Sequence, residues 1–106
     1  MYQVQITRSA ELDLQEAVRY IRDTLHNPTA AQRLLDDAEK ELSSLSVFPD
    51  RNALVHDSFL AANGVRLQMI HNYLALYVIR EQTKTVVILR IVYGRRDWIS
   101  LLKAEL

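Results

Sequence analysis

The chain has 106 residues, in which 13 basic side chains balance 13 acidic ones, with three histidines and no cysteine. That length allows one hydrophobic core, hence a single domain over residues 1–106. The neutral balance gives no overall positive field toward nucleic acid or anionic lipid, and the lack of cysteine excludes disulfides, zinc-thiolate sites and thiol nucleophiles. The opening Met1 to Ile6 lacks the basic segment and apolar run of a secretory signal. No other segment is long enough to span a bilayer, so a cytoplasmic location with no membrane partner is expected.

Tyr2, Val4 and Ile6 alternate with Gln3 and Gln5, which predicts a half-buried strand. Thr7 or Ser9 then caps a helix, with Glu11 and Asp13 at its positive end. Ala10, Leu14, Ala17, Val18, Ile21 and Leu25 place one apolar stripe along roughly four turns. His26 is read as a cation suited to the helix C-terminus. Asn27-Pro28 stops this helix and starts the next, because proline lacks an amide donor yet suits the first helical position.

The second helix buries Ala31, Leu34, Leu35, Ala38, Leu42 and Leu45 and ends before Phe48-Pro49. The short link makes the two helices antiparallel neighbours. Asp36, Asp37, Glu39, Lys40 and Glu41 are assigned to its solvated face. Residues from Pro49 to Gly64 show turn chemistry and no periodicity, predicting an irregular stretch.

Three strands follow, Val65 to Ile70, Tyr73 to Arg80 and Val86 to Tyr93, joined by links short enough for antiparallel hairpins. The last two are apolar on both faces, so each face of the sheet needs a cover. The helix hairpin supplies one cover. Trp98, Ile99, Leu101, Leu102 and Leu106, on a short C-terminal helix, are expected to supply the other or to stay available to another protein. The fold class is α+β: an N-terminal strand, an antiparallel helix hairpin, a three-stranded antiparallel meander and a short C-terminal helix.

The last strand ends in Tyr93-Gly94-Arg95-Arg96-Asp97-Trp98, so a buried strand delivers fixed charge to the surface. Core packing requires no such ending, which makes this exit the first candidate for function.

The order of elements, Gly64-Val65-Arg66, the hairpin through Asn72-Tyr73-Leu74-Ala75-Leu76-Tyr77 and the ending Ile88-Leu89-Arg90-Ile91-Val92-Tyr93-Gly94-Arg95-Arg96-Asp97 together resemble the RelE/ParE superfamily of type II toxins. Ile6-Thr7-Arg8-Ser9-Ala10-Glu11-Leu12-Asp13-Leu14 and Leu45-x-x-Phe48-Pro49 are similar to the ParE-like branch. The resemblance spans essentially the whole chain. It implies a plasmid-stabilising or growth-inhibiting toxin silenced by a cognate antitoxin, which alone contacts operator DNA. ParE-like members poison DNA gyrase without a hydrolytic site, whereas RelE-like members cut messenger RNA in the ribosome.

Metal-free RNA cleavage needs cations on the phosphate and groups that move protons. Arg66, Arg95 and Arg96 can supply the cations, and Tyr93 or His71 the proton. Relative to the RelE pattern, however, Leu74 replaces an arginine, Leu101 and Leu102 stand where a tyrosine is expected, and Pro49 to Arg66 contains no lysine. The ParE-like reading is therefore preferred, with Arg66, Arg95, Arg96 and Trp98 as the target-binding surface and no catalytic residue assigned. An inactive toxin-derived interaction module is the third reading.

Arg66 has an alternative role as an intramolecular partner of Asp97, and Asp97 is expected to neutralise one of Arg95 and Arg96. Arg90 lies within the last strand and needs a structural ion pair if it points inward. His56-Asp57 suggests an oriented imidazole base partnered by His71. No cofactor is indicated. No metal is expected either, since no histidine pair has ligand spacing and no acidic cluster completes a set.

Overall fold

A computed structural model describes all of residues 1–106. Strand β1 (Gln3–Ile6) leads into helix α1 (Arg8–Arg19), whose start is capped by Thr7; the threonine hydroxyl accepts the Ala10 amide at 3.1 Å. The α-helix does not run on to Leu25 as expected. At Tyr20–Thr24 it widens into a π-turn in which the Leu25 amide reaches the Tyr20 carbonyl at 3.1 Å, and His26 then turns left-handed at φ 52°. Asn27 accepts the Ala30 amide at 3.0 Å and Pro28 opens α2 (Pro28–Ser44), as the dipeptide predicts.

The supposedly irregular stretch contains a 3-10 turn at Pro49–Arg51 and a short helix, α3 (Ser58–Ala62), capped by Asp57. Five residues are too few to show a helical period, which is why the pattern conceals α3. Strands β2 (Arg66–Ile70), β3 (Tyr73–Arg80) and β4 (Thr85–Tyr93) form the expected meander, and α4 (Trp98–Lys103) closes the chain. No helix is long and apolar enough to cross a membrane.

The sheet order is β1-β4-β3-β2, with β1 parallel to β4 and the other pairs antiparallel. Asp37 of α2 meets His71 in the β2–β3 turn, while the Ser46 carbonyl just past α2 accepts the Tyr2 amide at 2.9 Å. Helix α2 thus crosses one face of the sheet diagonally. That face buries Ala10, Ala17, Leu34, Ala38 and Leu42 against Ala75, Tyr77, Val86, Ile88 and Ile91. Burying a leucine such as Leu34 contributes about 2 kcal/mol relative to exposure.

The opposite face packs Val55, Leu60, Val65 and Leu102 against Leu76 and Val92, with Trp98, Ile99 and Leu101 partly buried around them. Both faces are covered, as the doubly apolar strands require. Leu106 takes no part in this cover and is 50% exposed.

One irregularity positions everything downstream. Leu76 pairs with Arg90 and Tyr77 with Ile88, leaving Leu89 as an extra residue in β4. Strand β1 also stops here, opposite Ile88, and α1 continues the edge with polar groups. The Thr7 hydroxyl donates to the Leu89 carbonyl at 2.8 Å, and the Asp13 carboxylate accepts the Ile91 amide at 3.0 Å.

Candidate target-binding surface

At the end of β4 the Gly94 amide donates to the Asn72 carbonyl at 2.8 Å, extending the β3–β4 pairing by one step. A Cβ at Gly94 would lie 3.2 Å from that carbonyl oxygen, so the close approach favours glycine. The chain then turns, with the Arg96 amide bonded to the Tyr93 carbonyl at 3.0 Å, and enters α4. Arg95 and Arg96 are exposed and take part in none of the ion pairs of the molecule.

Asp97 does not neutralise either arginine. Its carboxylate caps α4, accepting the Ser100 amide at 3.3 Å. Trp98 is half-buried in the second core cluster, so its indole is divided between packing and surface.

Arg66 lies elsewhere. It pairs with Tyr77 at one end of β2, while Ile70 at the other end pairs with Tyr73, which in turn pairs with Tyr93. Four strand steps, about 13 Å, therefore separate Arg66 from the Tyr73–Tyr93 rung. Instead of pairing with Asp97, Arg66 donates to the Asn52 carbonyl at 2.5 Å. Asn52 is itself held by Gln68 at 2.9 Å and by Tyr77 at 3.2 Å, and the buried Tyr77 hydroxyl donates to the Pro49 carbonyl at 2.6 Å. Burial raises the Tyr77 phenol above its ordinary range. These bonds make Arg66 a brace for the segment between Pro49 and Leu54.

The remaining candidates gather at the other end. Tyr93 is 42% exposed and meets the Tyr73 ring edge-on, with centroids 5.6 Å apart. Burial and the neighbouring Tyr93 raise the Tyr73 phenol. His71, left-handed at φ 55°, places Nε2 2.5 Å from the Asp37 carboxylate. Asp37 thus belongs to a contact between α2 and the hairpin turn, beyond the solvated role its helical position suggests.

The imidazole base suggested by His56-Asp57 is not assembled. Asp57 accepts the Leu60 amide at 3.0 Å and pairs with Lys103 at 2.8 Å, and His71 is engaged by Asp37. The Lys103 contact, then the helix amide, hold the Asp57 carboxyl below the usual carboxylate range. Arg90 does take its expected structural role, donating to Asp13 at 2.6 and 2.8 Å and also to Glu105. Its charged form is strengthened chiefly by Asp13.

Two positions escaped the sequence reading. Asp13 was visible only as a helix-start acid, although it interrupts the apolar pair Leu12 and Leu14. Asn52 carried no signal, being one polar residue in a polar stretch.

The family described as ParE toxin of type II toxin-antitoxin system, parDE, matches residues 4–98. No curated protein matches by sequence. Among solved structures, the chromosomal ParDE system from P. aeruginosa is similar with a TM-score of 0.70 and 22% identity, covering 88% of this chain and 96% of that one. The RelBE2 toxin-antitoxin complex from Mycobacterium tuberculosis follows with a TM-score of 0.59 and 27% identity, covering 87% and 90%. The intact E. coli RelBE complex gives a TM-score of 0.55 and 13% identity, covering 91% and 100%. With the fold matching these toxin structures and the family match running over nearly the whole chain, the protein belongs to the ParE toxins of type II toxin-antitoxin systems, within the RelE/ParE superfamily.

Proposed function

We propose that this toxin inhibits growth by lodging on DNA gyrase and trapping its cleaved-DNA state, and that a cognate antitoxin neutralises it. The observation that carries the reading is the separation of the cations. Arg95 and Arg96 stand free beside the exposed Tyr93, whereas Arg66 is spent on the Asn52 carbonyl at the far end of β2. Phosphodiester cleavage would have to rest on Arg95, Arg96 and Tyr93 alone, because Arg66 is held by Asn52 and His71 by Asp37; a docking surface needs only exposed groups on a rigid support. Arg95 and Arg96 form the target-binding centre, Trp98 fixes its base through α4, and Arg66 supports it at a distance. The action takes place in the cytoplasm, where gyrase and its DNA are found. The antitoxin assignment is supported by the family and by neighbours that are themselves ParDE and RelBE complexes.

The test is expression of the chain with and without its antitoxin, followed by incubation of purified toxin with gyrase and supercoiled DNA. Growth arrest accompanied by gyrase-linked DNA breaks is expected. Cuts at codon positions in translated messages, with gyrase unaffected, would replace this reading with ribosome-dependent RNA cleavage.

A further inference from the structure

Helix α1 advances beside β4 in the direction of that strand. The capping Thr7 meets the Leu89 carbonyl, and Asp13 meets the Ile91 amide. Tyr20 stands seven residues after Asp13, two helical turns on, so both lie on the same flank of α1. The rise of about 10 Å between them matches the three strand steps from Ile91 to Gly94. Tyr20 therefore arrives beside Tyr93, at the level where β4 leaves the sheet. The Tyr73 phenol registers this neighbourhood: burial raises it first, then Tyr93, then Tyr20.

Tyr20 is 53% exposed and belongs to neither core cluster. Helix α1 gives way to the π-turn directly at this residue, whose carbonyl is held by the Leu25 amide. Such turns are rare and recur at functional sites.

The groups around Tyr20 and Tyr93 are hydrogen-bond donors. Arg95 and Arg96 have no ion-pair partner, and Glu16, exposed on the same flank of α1, pairs with neither. The Gly94 amide turns back to Asn72, so the Tyr93 amide faces the α1 side as the Ile91 amide does, where, unlike Ile91, it finds no carboxylate.

We infer that Tyr20 joins Tyr93, Arg95 and Arg96 in one contact surface, and that this surface grips an acidic segment of the target protein and not its DNA. This contact presupposes the docking function proposed above, extends it to α1 and gives the partner a chemistry. Nucleic-acid affinity grows with the number of phosphates neutralised. A chain in which 13 basic residues balance 13 acidic ones brings only Arg95 and Arg96 to this patch. Tyrosine and arginine are, by contrast, the favoured anchors of protein interfaces, and guanidinium groups and amides bind carboxylates strongly.

Two binding measurements test this: purified full-length toxin with gyrase holoenzyme in the absence of DNA, and the same toxin with single-stranded and duplex oligonucleotides in the absence of gyrase. Gyrase should bind without DNA. Tyr20→Ala should weaken that binding and the growth arrest by at least about tenfold, with urea unfolding as in the wild type. Tyr20→Phe, which keeps the ring, should retain most of both. Full gyrase affinity and potency in Tyr20→Ala would overturn the inference and leave the proposed function standing. Toxin that binds the oligonucleotides in place of gyrase, and loses that binding in Tyr20→Ala, would transfer the surface to nucleic acid and overturn it as well. Lowered unfolding stability in step with lost potency would make Tyr20 a structural residue, with the same consequence. Wild-type toxin that neither binds nor poisons gyrase would remove the proposed function, and this contact with it.

Discussion

The Arg90 guanidinium grips the Asp13 carboxylate with two bonds, at 2.6 and 2.8 Å, while that carboxylate also accepts the Ile91 amide at 3.0 Å. Both side chains are 14% exposed. Asp13 thereby supplies the edge of β4 with the acceptor that β1, ending at Ile6, cannot reach. Replacing it leaves the largely buried Arg90 cation with Glu105 alone and the Ile91 amide without its acceptor. Asp13→Ala should lower unfolding stability by about 3 kcal/mol, and Asp13→Asn by less, because the amide oxygen still serves Ile91. Urea titration of the three chains checks the order; equal stability of wild type and Asp13→Ala would refute it.

Tyr77 carries its hydroxyl into the core in order to hold the Pro49 carbonyl at 2.6 Å. Tyr77→Phe removes that donor without changing the packing volume, leaving the carbonyl without its partner. The expected loss is about 1 to 2 kcal/mol, with faster hydrogen exchange in the segment from Pro49 to Val55. An unchanged denaturation midpoint would show that the bond has no net worth.

Asp57 joins α3 to α4 through its cap and its Lys103 contact, and both depress its carboxyl. A depressed folded-state value means stability that is complete above the unfolded value and is lost as pH falls. The window therefore opens below about pH 4. Thermal unfolding of Asp57→Asn should show a shallower acid decline than the wild type there, and the two slopes should coincide at neutral pH. Identical acid profiles would remove Asp57 from the account.

Arg95 and Arg96 project from a turn and hold nothing within the chain. Arg95→Ala with Arg96→Ala should abolish toxicity while changing stability by no more than about 0.5 kcal/mol. Arg66→Ala should behave differently, weakening the fold along with any loss of potency, because the Asn52 carbonyl loses its donor. Growth assays paired with denaturation separate the two cases. Full potency in the double variant would move the target surface elsewhere.

Periodicity and capping made most of the framework legible, because the relevant residues lie within one or two turns of each other. Thr7, Asn27-Pro28 and the apolar stripes announce α1 and α2, and the short links between apolar runs announce the meander. The charged exit of β4 was equally visible, since glycine and two arginines directly follow a buried strand. α3 escaped because a single helical turn buries too few residues to make a pattern.

What only the tertiary structure decided are partnerships between residues far apart in sequence. Sequence alone determined the segments, the two-sided burial of the central strands and the arginines at the β4 exit, through interactions local enough to be written in neighbouring residues. It left open that β1 would lie beside β4, that Arg90 would choose Asp13 and that Asp97 would cap α4 and leave Arg95 and Arg96 free. Arg66 and Arg96 read as one cluster in the sequence, yet the register of β2 against β3 puts four strand steps between the Arg66 and Tyr93 positions. Strand register and helix docking are chosen by the packing of the whole core, and a charged side chain takes whichever partner that packing brings within reach.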